Sequence, residues 1–329
     1  SSFYKIYDLV KSSNTKIFFY LFFLMLINML LEIFGITLLI PLLNFISDDV
    51  MCNQKCENFF SYFGFNIDQL FFLKFILISL LFIFFVKTLF VTYLIYKQNQ
   101  TIFNLLSNFS KKLYKYYINQ SYLYHVEKNP SILIRNINQE VSAVVTNYLN
   151  SFLSLMTEIL VCIGIVIILF IYQPYGLLLA GVVFGILSIL FSIFTKKKVK
   201  AWGKVRQQNE EKKIKNLIQG FNSIKEIKLY SKEEYFEKNN QMVFDTHATI
   251  NTKNSVLNSL IRPWLEFFFI FTIVLLVSFL IINGNSINTI FATLALFGAA
   301  AFKLLPSVNK ILVNTQSMRF TQNAVDLVH

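Results

Sequence analysis

Charge is what this sequence has least of. Asp, Glu, Lys and Arg make up 15% of its 329 residues, where soluble domains carry about 25%. That excludes an ordinary water-soluble domain. Cysteine is scarce too, and three residues are too few for a disulfide scaffold. Cys52 and Cys56 share a polar loop at C-x3-C spacing with no histidine or further cysteine nearby, which argues against a zinc site. They read either as free thiols or as a small local disulfide. Cys162 lies in an apolar run. His125, His247 and His329 are scattered among polar neighbours, and no His/Asp/Glu cluster has metal-ligand spacing. A G-x-x-x-x-G-K-[ST] phosphate loop is missing, because Gly203-Lys204 has neither the upstream glycine nor the hydroxyl residue. The chain alone is therefore not expected to bind ATP through such a loop, to hold a cofactor or to carry a catalytic site. No cleavable signal peptide is expected, since the first apolar run is too long and lacks an A-x-A site.

What is abundant is apolar surface: 55% of the residues are hydrophobic and 37 are Phe. A spanning helix needs about 20 mostly apolar residues. Six runs qualify: Ile17–Phe45, Leu70–Tyr96, Asn150–Tyr172, Tyr175–Thr195, Leu260–Ile282 and Ile287–Leu305. They are too long for barrel strands, and only helices satisfy their own backbone groups in lipid. The expected fold class is thus an all-α membrane protein of six transmembrane helices. The formal charge of +12 would suggest nucleic acid in a soluble protein, but here the cations fall mainly in loops on one side. Lys5, Lys11 and Lys16 precede the first span, Lys97 to Arg135 follow the second, and Lys196 to Arg206 follow the fourth. The opposite loops hold Asp48, Asp49, Glu57 and Asp68 against Lys55, or no charge at all. Positive loops stay inside, so both termini are expected in the cytoplasm.

The two inner connections each run about 55–65 residues. They keep apolar residues at helical spacing, as in Ile102, Leu105, Leu106 and Phe109. Each is expected to be a descending helix, a turn and an ascending helix, reaching about 30 Å beyond the membrane per 20 residues. Breaks are expected at Asn129-Pro130 and at Gln219-Gly220-Phe221-Asn222. After Gly220, Ile224, Ile227 and Tyr230 share a face opposite Lys and Glu residues. At the tip of an arm such a stretch suits docking of a cytoplasmic partner.

Charges inside apolar runs are expensive and are functional candidates. Glu32, Lys87, Glu158, Arg262 and Glu266 lie within the runs, and Lys303 and Lys310 near the inner end of the sixth. One reading is ion pairing, for example Glu32 with Lys87, or Arg262 with Glu158 or with Glu266 one helical turn further on. The other is that the cations, which outnumber the acids toward the inner half, attract an anionic group such as a phosphate. Pro41, Pro263 and Pro306 read either as kinks or as helix ends.

Six spans, both ends inside and two long helical inner connections resemble the transmembrane domain of ABC exporters. Gly220–Phe236, with I-K-E-I-K-L-Y followed by E-x-x-F, is similar to that family's second coupling-helix region. Ser121–Asn129, followed by Ser131–Val141, is similar to the first. The resemblance assigns residues 1–315 to the transmembrane domain and 316–329 to the start of a linker toward a nucleotide-binding domain. Within the family the chain is most similar to the PglK-type lipid-linked oligosaccharide flippases. The similarity rests on Glu32, Lys87, Glu158, the Arg262-x-x-x-Glu266 pattern and the stretch Lys303-Leu304-Leu305-Pro306-Ser307-x-Asn309-Lys310. Arg is usual there at Lys87, Lys303 and Lys310; Lys keeps the charge but loses the bidentate fork.

This resemblance implies a homodimer in a cell inner membrane, with ATP and Mg2+ bound by a partner nucleotide-binding domain. Lys87, Arg262, Lys303, Lys310 and Glu266 would face the substrate. Tyr122, Tyr124, His125, Phe221, Ile224, Ile227 and Tyr230 would couple to the partner domain. The expected function is export or flipping of an anionic lipid-linked oligosaccharide by alternating access. The alternatives are a peptide, drug or lipid A exporter on the same fold, and a non-transporting membrane scaffold whose basic face binds anionic lipid.

Overall fold

The computed structural model describes residues 15–37, 69–172, 174–282, 284 and 287–328. Their regular elements are all helices. α1 (Thr15–Thr37) is followed by α2 (Gln69–Ile118) and the short α3 (Tyr122–Glu127) and α4 (Pro130–Arg135). α4 runs through two π-helical stretches, Asn136–Glu140 and Ala143–Leu149, into α5 (Asn150–Tyr172). Then come α6 (Pro174–Asn222), the short α7 (Ile224–Leu229), α8 (Glu233–Ile282) and α9 (Ile287–Val328). The loop with Cys52 and Cys56, and Pro41, lie outside the described residues.

Among the described residues, the stretches Lys16–Gly35, Leu77–Ile118, Pro130–Ile171 and Glu233–Ile282 are long and apolar enough to cross a membrane. The two other expected spans, Tyr175–Thr195 and Ile287–Leu305, lie within the uninterrupted helices α6 and α9. α2, α6 and α8 have 50, 49 and 50 residues. At about 1.5 Å per residue each is roughly 75 Å long, more than twice the hydrocarbon thickness. The excess length forms the polar arms.

The turns between arms follow local chemistry. The Ser121 side chain caps α3 by accepting from Tyr124 N–H. Asn129 caps α4 the same way, accepting from Ser131 N–H at 3.0 Å, with Pro130 in the first helical turn. That proline has no N–H to give, so the break falls where its position predicts. The second break differs from expectation. α6 continues through Gly220 to Asn222, and the turn begins at Ser223. One glycine costs a helix only about 1 kcal/mol, which its neighbours' packing overcomes. α7 closes with Ser231 in the left-handed region at φ 50°, Ser231 N–H bonding Lys228 O and Lys232 N–H bonding Ile227 O. That is a Schellman cap with serine where glycine is usual.

Pro263 and Pro306 sit inside α8 and α9, so neither ends its helix. α9 also passes residue 315 without a break, and Gln316, Phe320, Ala324 and Val325 are buried.

Among the described residues, three apolar clusters hold the bundle. Val161, Ile165, Ile168 and Leu169 of α5 meet Ala300 and Leu304 of α9 and Ile33 of α1. A second joins α1, α2, the π-helical stretch, α5 and the end of α9 through Leu21, Met25, Ile102, Val145, Leu149 and Val325. In the third, Val199 and Trp202 of α6 pack on Ile250 of α8 and Phe320 of α9. Here α6 and α9 touch backbone to backbone: a Cβ on Gly203 would lie 2.1 Å from Phe320 O.

Candidate functional site

The charges inside the apolar runs come together through helix packing. α1 carries Glu32, which is 3% exposed, into the interface with α2 and α9. Lys87 Nζ of α2 lies 2.9 Å from Glu32 Oε2, and Lys303 Nζ of α9 lies 3.2 Å from Oε1. One carboxylate therefore ties three helices and leaves a formal surplus of one positive charge. Lys87 also stands over the Phe84 ring at 4.7 Å. Seven residues beyond Lys303, Lys310 donates to Glu158 Oε1 of α5 at 2.7 Å. Seven residues are two helical turns, so both lysines share a face of α9. The two ion-pair groups are thus carried on one face of α9, two turns apart.

Of the pairings expected, Glu32 with Lys87 and Arg262 with Glu266 are present. Glu158 takes Lys310 instead of Arg262, because α5 packs against α9. Arg262 pairs within its own helix, its Nε donating to Glu266 Oε1 at 2.8 Å. Both of these side chains are exposed, at 76% and 50%. Arg262 and Glu266 thus lie apart from the Glu32 network in their bonding. The tally of cations against acids also changes in form, since each of the four cations has a carboxylate partner and the surplus comes from sharing Glu32.

Asn28 was missed. It lies one turn before Glu32 on the same face of α1, is buried, and its Oδ1 accepts no hydrogen bond among the described residues. The signal was available: two polar residues at i, i+4 in an apolar run lie on one face.

The arm tips present the other expected residues. At the first tip, the Tyr117 and Tyr124 rings stack at 6.4 Å, and His125 Nε2 lies 3.0 Å from Tyr117 O. Burial, then charge repulsion from the neighbouring Tyr117 and Tyr116 phenol groups, pushes the Tyr124 phenol above its usual value. Tyr122 stands out at 85% exposed. At the second tip, Phe221, Ile224 and Tyr230 are exposed, while Ile227 is buried. Ile227 lines a small open pocket together with Leu217, Phe221, Ile224 and Phe236.

Away from the apolar runs the arms are joined by polar groups, of which Arg135, Asn136 and Glu210 are buried. Arg135 pairs with Glu211, and its Nη2 donates to Asn136 Oδ1 at 3.0 Å. Asn136 in turn donates to Tyr117 OH at 3.0 Å. His247 Nε2 lies 2.6 Å from Glu210 Oε1, tying α8 to α6. These contacts link four arms.

Long helices apolar enough to cross a membrane extend as polar arms and end in tips with exposed apolar side chains. The family model of the ABC transporter transmembrane region matches residues 18–302. The chain belongs to this family: it is an integral membrane protein and the membrane transport component of an ABC exporter.

Proposed function

We propose that this chain is one half of a homodimeric, ATP-driven flippase for an anionic amphipathic lipid, a polyprenyl-pyrophosphate glycan being the favoured class. As an ABC transmembrane region it pairs with a nucleotide-binding domain, which supplies ATP hydrolysis. The observation that carries the substrate reading is the sharing of Glu32 by Lys87 and Lys303. A lone surplus charge in hydrocarbon is costly, and a passing phosphate would neutralise it. Lys303 is about one third exposed, so it can turn from Glu32 to a phosphate oxygen. Arg262 adds a bidentate grip once released from Glu266.

In this reading six spans cross the inner membrane with both termini and both arm tips in the cytoplasm. Tyr122, Phe221, Ile224 and Tyr230 contact the nucleotide-binding domain. ATP binding there closes the arms, and the polar junction of Arg135, Asn136 and Tyr117 transmits the movement. The surplus cation favours an anionic lipid over a neutral drug or peptide; lipid A remains the runner-up because it too carries phosphate.

Proteoliposomes holding the transporter and its nucleotide-binding domain test this. Flipping of a fluorescent prenyl-pyrophosphate glycan should exceed that of a neutral lipid with the same tail. The paired substitution Lys87→Gln and Lys303→Gln should reduce the first at least tenfold. Equal flipping of both lipids, or full flipping by the variant, would reject the reading.

A further inference from the structure

Where the α2 arm leaves the bundle it diverges from the first turns of α1 around an open cavity of about 1010 Å³. Along α2 the cavity is lined by Lys97, Gln100, Asn104, Asn108 and Lys111, which recur at i, i+3 and i, i+4 and so occupy one helix face. Facing them across the gap are Ile17, Phe18 and Leu21 of α1. A solvated arm turns its polar face to water and its apolar face to its neighbour. Here a polar stripe faces an apolar helix start, with space between them that none of the described residues fills.

The depth of the cavity is marked on both walls. Lys16 precedes the apolar run of α1, and Lys97 closes that of α2. Tyr20 and Tyr93 meet at the rim, hydroxyl to hydroxyl at 2.9 Å. Lys97 stands over the Tyr93 and Tyr96 rings at 5.9 and 5.7 Å. Tyrosines and snorkelling lysines mark the membrane–water boundary. The cavity therefore opens at the headgroup level and runs away from the membrane. From Lys97 to Lys111 it extends about 21 Å along α2, far longer than one phosphate group.

The fitting ligand has an apolar tail at the α1 wall, a phosphate at Lys97 and an extended, hydroxyl-rich headgroup beyond. Side-chain amides donate and accept at once, which suits them to sugar hydroxyls, and Gln100, Asn104 and Asn108 repeat along that length. We propose that this groove is a docking site for the headgroup of a glycosylated anionic lipid, with the phosphate at Lys97 and the glycan along the amide stripe. Lys97 Nζ now donates to Gln100 Oε1 at 3.1 Å, a bond that a phosphate oxygen would replace. The assignment rests on the flippase reading for the identity of the lipid, not for the existence of the groove.

The test measures binding, which separates it from transport. The full-length protein in phosphatidylcholine nanodiscs is titrated with two probes sharing one short prenyl tail, a bare pyrophosphate and a pyrophosphate disaccharide. The disaccharide probe should bind at least fivefold more tightly. Lys97→Gln should weaken both probes, and Asn104→Leu with Asn108→Leu should remove only the preference for the sugar. Lys97→Arg should retain binding, and Lys196→Gln with Lys197→Gln, on α6, should bind like the parent. Equal affinity for the two probes, unchanged binding in the α2 variants, or equal loss in the α6 control overturns the groove. Free disaccharide competing as well as the lipid probe would also overturn it. Flipping that persists while the groove variants bind normally rejects the groove alone. Absence of any anionic-lipid flipping rejects the transport reading and leaves the binding result to stand by itself.

Discussion

Lys303 of α9 lies 3.2 Å from a carboxylate oxygen of Glu32 on α1, inside the apolar part of the bundle. The same carboxylate holds Lys87, so removing it strands two cations at once. Breaking one buried pair costs about 3–5 kcal/mol. Glu32→Ala should therefore lower the thermal midpoint in detergent sharply. Replacing Glu32, Lys87 and Lys303 together with Leu should recover stability without recovering transport of an anionic lipid. Recovery of both would make the triad purely structural.

Arg262 gives the opposite pattern. Its partner Glu266 is on the same helix, and an i,i+4 pair contributes about 0.5 kcal/mol. Arg262→Ala should leave the midpoint nearly unchanged in a melting assay, while lipid flipping falls at least tenfold and Arg262→Lys restores part of it. Full flipping in Arg262→Ala would remove this residue from the substrate path.

The second tip separates docking from support. Ile224 is half exposed and Ile227 is buried. Ile224→Asp should change stability by only about 0.5 kcal/mol yet uncouple ATP hydrolysis from transport in the reconstituted complex. Ile227→Asp buries an unpaired carboxylate and should destabilise the tip, read as faster amide exchange around residues 217–236. Normal coupling in Ile224→Asp would count against a docking role.

Gly203 sets the contact of α6 with α9. A methyl group there would meet Phe320 O, a backbone atom that cannot swing aside. Gly203→Ala should cost at least the upper end of the roughly 1–3 kcal/mol typical of overpacking, seen as a lower midpoint or aggregation on size exclusion. Gly185→Ala, where none of the described residues lies within 4 Å of the added methyl, is the control and should behave as the parent.

Orientation is checked by accessibility. In a background with Cys52, Cys56 and Cys162 replaced by Ser, single cysteines at Asn53 and Ser231 are probed on intact cells with an impermeant maleimide. Asn53→Cys should label and Ser231→Cys should label only after lysis. The reverse pattern would invert the topology.

Much of the architecture was legible because hydropathy and helical period are local and cumulative. Twenty apolar residues report a span without reference to any other part of the chain. Pro130 breaks its arm wherever the rest of the chain goes. Gly220 did not break its helix, because a penalty of about 1 kcal/mol yields to packing. The docking face was half legible: the period put Ile224 and Ile227 together, but not which of them turns inward.

By itself the sequence determined that this chain lies in a membrane, where its apolar segments run and that long helical arms extend from it. Only the tertiary structure decided that Glu32 serves two lysines, that Glu158 takes Lys310, and that Arg262 stays with its own helix. Those partners lie 55, 271 and 152 residues apart for the three interhelical pairs. An ion pair forms within a few ångströms, so it depends on the rotation and depth of each helix against its neighbours. Side-chain packing sets these, through contacts such as Ile33 against Gly164, where an added Cβ would come within 2.9 Å of the isoleucine.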